Sequence, residues 1–80
     1  MPRIKDKDYN DARALLMANG SITAQKSHPH HNKKGGDCPE KYGKNLLNEA
    51  YFIDWNGAPT LAQLSILQKA AGLMNIDWEP

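Results

Sequence analysis

The stretch "TLAQLSILQKAAG" (Thr60–Gly72) decides the fold. Thr60 with Gln63 three residues on makes a capping box, and Gly72 stands where a C-terminal cap belongs, so the spacing predicts a helix over 60–72. Between its ends Ser65, Gln68 and Lys69 share one narrow face, while Ala62, Leu64, Ile66, Leu67, Ala70 and Ala71 fill a wide apolar arc. A helix this apolar is expected at the centre of its domain. Burying each leucine or Ile66 contributes about 1.5–3 kcal/mol, a large share of what a small domain has.

Two further segments carry helical signals. Tyr9, Ala12, Leu15 and Leu16 recur on one face, with Asp8 as N-cap, Asp11 in the first turn and Asn19-Gly20 as a left-handed exit, which predicts a helix over 8–19. Over 45–55, Leu46, Leu47, Ala50, Tyr51 and Ile53 share an apolar arc opposite Asn48 and Glu49. The competing reading there is a strand with Tyr51, Ile53 and Trp55 on one face, turning at Asn56-Gly57. Helix is preferred, because Ala58-Pro59-Thr60 supplies no partner strand. Ser21–Lys26 alternates, with Ile22 and Ala24 against Thr23 and Gln25, and fits a short strand, an extended arm or a helix. The expected fold is therefore mainly α: a small three-helix domain with a long irregular loop, with one short strand or hairpin as the α+β alternative.

The loop is read over 27–43, where Pro29, Pro39, Gly35, Gly36 and Gly43 stand among almost no apolar residues. Loops of this length inside a compact domain tend to be functional or disordered. This one holds all three histidines, His28, His30 and His31, and the single cysteine, Cys38. Those four donors suit tetrahedral zinc, but structural zinc sites join two close ligand pairs from different elements, and here all four lie on one loop. No cofactor is expected, with a divalent metal on these four residues as the alternative. Asp37 and Glu40 flank Cys38 and would raise its pKa, so an unreactive surface cysteine is expected rather than a nucleophile.

Length and charge bound the function. A chain of 80 residues is read as one domain, 1–80, and buries only about 60–65% of its unfolded surface. A deep substrate cleft is not expected at that size; a binding module, an inhibitor or a small metal-dependent enzyme is. One cysteine cannot form an intrachain disulfide, no apolar run resembles a signal peptide or a membrane span, and a cytoplasmic location is expected. Residues 1–25 hold four basic and three acidic side chains; residues 26–44 hold five lysines against Asp37 and Glu40; residues 45–80 hold Lys69 against Glu49, Asp54, Asp77 and Glu79. The middle is thus basic and the C-terminal half acidic, a layout that steers charged partners.

Two classes of macromolecule follow. For nucleic acid, Lys26, Lys33, Lys34, Lys41 and Lys44 would neutralise phosphates while Tyr42 or His30 stacks on a base. For a protein partner, Trp55 and Trp78 repeat in the short echo "IDW" (Ile53–Trp55 and Ile76–Trp78) and are amphipathic aromatics of the kind that anchor interfaces, unless both rings close the ends of a small core. A protein partner is favoured, because +3 over residues 26–44 is thin for DNA. The expected role is non-enzymatic: an inhibitor or adaptor of a larger machine, as small phage and mobile-element proteins often are. Nothing in the pattern fixes the oligomeric state.

One enzymatic alternative rests on a likeness. "HHNKKGGD" (His30–Asp37) followed by Asn45-Leu46 resembles the HNH nuclease motif. The resemblance implies a ββα unit in which His31 activates water, His30 is a metal ligand and Asn45 is a brace. No histidine follows His31, so Asp54 would have to supply the remaining carboxylate ligand to a divalent ion.

Overall fold

The computed structural model describes residues 2–30 and 35–80. In chain order it runs β1 (Arg3–Lys5), α1 (Asp6–Ala18), α2 (Ile22–Lys26), β2 (Asp37–Pro39), α3 (Glu40–Glu49), a π-helical turn (Ala50–Asp54) and α4 (Leu61–Leu73). The fold is mainly α, and the α+β alternative survives only as a two-stranded sheet in which β1 and β2 pair antiparallel, Ile4 opposite Cys38. Ile4 and Cys38 face inward while Arg3, Lys5 and Asp37 face out, the period of two that a one-sided sheet requires. None of the helices among the described residues is long and apolar enough to cross a membrane.

The capping box of α4 forms as the spacing predicts. Gln63 N–H donates to Thr60 Oγ1 (3.1 Å) and Thr60 N–H donates to Gln63 Oε1 (2.9 Å). The far end differs from expectation: the helix passes through Gly72 to Leu73, and Asn75 (φ 53°) supplies the left-handed residue. Asn75 N–H donates to Gly72 C=O and Ile76 N–H to Ala71 C=O, the two bonds of a Schellman motif, and Asn tolerates positive φ well enough to replace glycine. Leu67, Ala70 and Ala71 are buried and Ser65, Gln68 and Lys69 exposed, but Ala62 also faces solvent, so α4 covers one side of the core instead of running through its centre. Its principal neighbour is α1, which contributes Tyr9, Ala12 and Leu16.

α1 begins two residues before the expected cap. Its first turn holds Asp6 and Asp8, and no side chain caps it, because β1 runs straight into the helix and Gly36 C=O accepts the Asp6 N–H (3.1 Å). Asp11 instead pairs with Lys7 (2.8 Å) at i, i+4. The exit is as read: Gly20 lies at φ 89°, Gly20 N–H donates to Met17 C=O and Ser21 N–H to Leu16 C=O. The chain then turns into α2, a helix and not the strand or arm it could have been, capped by Ser21 Oγ accepting from Ala24 N–H (3.1 Å).

The loop read over 27–43 is shorter than expected. β2 occupies Asp37–Pro39 and α3 starts at Glu40, whose N–H donates to Pro2 C=O (3.1 Å) and whose carboxylate pairs with Lys44 (2.9 Å) one turn on. Gly43 is not a loop residue but a contact residue in mid-helix. A Cβ there would lie 2.8 Å from Met74 Sδ, 3.1 Å from Ile4 Cδ1 and 3.4 Å from Ile76 Cδ1. Gly43→Val is expected to cost about 1–3 kcal/mol by overpacking. Gly43→Ala is expected to cost less, because gained helix propensity offsets part of the shift that the buried Met74 and Ile4 side chains must make. Urea unfolding of the pair checks this, and equal losses would refute it.

After Glu49 the helix widens rather than ending. Trp55 N–H donates to Ala50 C=O (3.1 Å), five residues back. Asn56 (φ 54°) and Gly57 (φ 72°) then adopt the left-handed pair that Asn-Gly favours, here closing a helical segment instead of a hairpin. The preference for helix over 45–55 holds, in its wider form from Ala50.

Candidate functional site

Two places gather chemistry or exposed apolar surface. The first lies where β1, α1 and β2 meet, and its three members come from distant parts of the chain. Asp6 opens α1, Cys38 faces inward from β2, and His30 sits on the segment between α2 and β2. One donor atom from each lies within 4.8 Å of the other two. Asp6 Oδ1 is fully buried without a hydrogen-bond partner among the described residues, and His30 Nδ1 lies 3.8 Å from it. Burial and then the neighbouring Asp6 carboxyl push the Cys38 thiol up to about 11. The direction matches the sequence expectation, but the cysteine is buried, not at the surface, and Asp6 weighs more than Asp37. A raised thiol pKa is the opposite of what a nucleophile needs.

His30 is held firmly. Its backbone N–H donates to Asn10 Oδ1 (2.9 Å), and its C=O accepts from Asn10 Nδ2 (2.6 Å). The imidazole meets the edge of Tyr9 at 4.7 Å and stacks on Tyr42 at 5.5 Å. Arg13 anchors the preceding segment by donating to Ser27 C=O (2.9 Å).

Of the expected zinc donors, His30 and Cys38 come together and exposed His28 does not join them. His31, like Lys33 and Lys34, lies outside the described residues. Asp6 was missed because it is 24 positions from His30, and only the pairing of Ile4 with Cys38, which no local signal announces, carries it to the site.

The arrangement that the HNH likeness implies is not seen among the described residues, and His31, its expected base, lies outside them. The strands are separated by α1 and α2 instead of making a ββα unit, and Asn45 is exposed on α3. Asp54 accepts bonds from Ser21 Oγ, Thr23 Oγ1 (2.7 Å) and Thr23 N–H (3.2 Å), so its carboxylate is committed to α2. The basic residues are likewise partly engaged. Lys44 pairs with Glu40, and Lys41 Nζ lies 5.9 Å from the Tyr42 ring, one face of which His30 covers. Lys26, at the exposed end of α2, makes no such contact among the described residues.

The second place is the π turn. Trp78, expected as an interface anchor, is buried and donates its indole N–H to Asn48 Oδ1 (2.8 Å); Trp55 is half-buried against the core. Both rings close the core. The exposed large apolar residues there are instead Phe52 (57% exposed) and Ile53 (61%), with Ile22 (57%) on α2, the helix bonded to the turn through Asp54. Phe52 meets Tyr51 edge-on at 4.7 Å, and Tyr51 meets buried Trp78 at 6.1 Å. Phe52 did have a signal in the sequence: it is the one aromatic of the 45–55 segment that falls off both the helical arc and the alternating strand face. No pocket is found that would enclose a small ligand among the described residues. Comparison with protein families, with curated proteins and with solved structures finds no match to this chain.

Proposed function

We propose that this chain is a small non-enzymatic binding protein whose π turn docks a partner protein, as an inhibitor or adaptor of a larger assembly does. The observation that carries the reading is the adjacent pair Phe52 and Ile53, both more than half exposed on a turn whose neighbouring rings are fixed from behind. Interfaces draw most of their energy from a few well-supported aromatic and aliphatic anchors. Tyr51, Trp78 and Asn48 supply that support, and π turns recur at functional places in helices. Exposed Glu49, three residues before Phe52, and Asp77 and Glu79, which flank Trp78, give the surroundings negative charge. The partner is accordingly a protein with an apolar pocket rimmed by lysine or arginine. A reducing cytoplasm suits the single free thiol of Cys38.

The test is a pull-down from nuclease-treated lysate of the source cells, run side by side with wild type, Phe52→Ala, Ile53→Asp and a Lys41→Ala/Lys44→Ala double variant. One partner held by wild type and the lysine variant, and bound at least about tenfold more weakly by Phe52→Ala, is the expected result. A partner retained equally by Phe52→Ala and Ile53→Asp would refute the reading. Capture that vanishes with nuclease would turn it toward the basic residues and nucleic acid.

A further inference from the structure

We propose that Asp6, His30 and Cys38 form a binding site for a single zinc-class divalent ion. The donor set is one carboxyl oxygen, one imidazole nitrogen and one sulfur, each a known zinc ligand, and three protein donors leave the ion one further position. With bonds of about 2.0–2.3 Å, tetrahedral ligand atoms stand roughly 3.3–3.8 Å apart. The Asp6–His30 separation of 3.8 Å is already there, and the outer limit of 4.8 Å for the trio closes with about 1 Å of movement.

A second, independent observation points the same way. Asp6 Oδ1 is fully buried and receives no hydrogen bond from any described residue, on a residue only 7% exposed. A buried carboxyl oxygen without a partner is costly unless something fills the position, and a cation does so. An Asp6–His30 ion pair alone explains it less well, because 3.8 Å exceeds hydrogen-bond length, and the bond between the Cys38 thiol and the Asp6 carboxyl, which helps raise the thiol pKa, leaves Oδ1 itself without a partner among the described residues.

The surroundings are those of a pre-set ligand shell. The backbone of Asp6 is fixed by Gly36 C=O, that of Cys38 by pairing with Ile4, and that of His30 by both amide atoms of Asn10, while Tyr9 and Tyr42 hold the imidazole plane. Outer contacts of this kind orient ligands and raise affinity. Binding would release the thiol proton, leaving sulfur coordinated as thiolate. The ion would also staple the start of α1 to β2 across the segment that carries His30, a structural role suited to a domain with so small a core.

The experiment is titration of the untagged full chain, stripped of metal by a chelator, with cobalt(II) as the optical stand-in for zinc. The expected result is saturation at one cobalt per chain, a sulfur-to-cobalt charge-transfer band in the near ultraviolet and the strong visible absorption of a tetrahedral site. Zinc should then displace the cobalt and raise Tm. Cys38→Ser should abolish the charge-transfer band, and Asp6→Asn and His30→Gln should each weaken binding by more than the ~10-fold that loss of an outer contact costs. His28→Gln should change nothing. Because Asp6 and Cys38 are buried, far-ultraviolet circular dichroism accompanies each variant, and the wild-type spectrum decides the matter without them. A wild-type spectrum lacking the thiolate band overturns the proposal. So does binding that persists in folded Cys38→Ser, or that falls as far in His28→Gln as in His30→Gln, the mark of adventitious binding to exposed histidines.

Discussion

Leu67→Ala is expected to lower the stability of the domain by about 2–5 kcal/mol, while Leu61→Ala, six residues earlier on the same helix, changes it by less than about 0.5 kcal/mol. Leu67 is completely buried and Leu61 is 87% exposed, so one substitution opens a cavity and the other opens none. Both replace leucine with the best helix former, and helix propensity does not separate them. For a chain of this length the total unfolding free energy is on the order of 4–12 kcal/mol, so the Leu67 change removes a large fraction of it. Tm should fall by roughly 10–30 °C for Leu67→Ala and scarcely move for Leu61→Ala. Thermal and urea unfolding of both variants give the comparison. Similar losses would mean that α4 does not present the face assigned to it against α1.

That contrast also marks what the sequence could and could not reveal about α4. The polar stripe of Ser65, Gln68 and Lys69 and the capping box were legible because both are properties of residues three or four apart. Whether Ala62 lies in the core depends on what packs beside it, which no window of α4 contains. The same limit explains Gly43. A glycine among prolines and other glycines reads as loop, and only the approach of Met74 and Ile4, from both ends of the chain, makes it a helical contact residue. β1 and β2 were hidden for the related reason that three-residue strands carry too short a period to register and gain their identity from pairing over 34 positions.

For the candidate sites the pattern was half visible. His30 and Cys38 stood out as scarce donors on one segment, yet nothing in the pattern singled out Asp6, which the fold brings beside them. The tryptophans drew notice as aromatics flanked by acids, but an indole tolerates burial when its N–H finds an acceptor, as Trp78 does in Asn48. Phe52 has no polar atom to satisfy and is nonetheless exposed, which is the less expected state and the more informative one.

Asp54→Ala is expected to cost about 1.5–3 kcal/mol at neutral pH, the scale of hydrogen bonds to a charged acceptor. The Asp54 carboxylate accepts from Ser21 Oγ, Thr23 Oγ1 and Thr23 N–H, and Ser21 is completely buried, so removing the acceptor leaves a buried hydroxyl short of a partner. Desolvation raises the Asp54 pKa, but bonds from Ser21, then Thr23, outweigh it and hold the group below its ordinary value of 3.8. A depressed carboxylate pKa contributes stability that is fully present above the unfolded value and is lost as pH falls through the folded one. The stability gap between wild type and Asp54→Ala should therefore be constant from neutral pH down to about 4 and narrow below it. Taking the difference between the two proteins removes the titration of every other carboxylate that both share. Asp54→Asn separates charge from shape, since its amide nitrogen cannot accept and one of the three donors must go unmatched. Urea unfolding at a series of pH values provides the curves. A gap that stays the same below pH 4 would show that the carboxylate bonds do not hold α2, and exposed Ile22 with it, against the π turn.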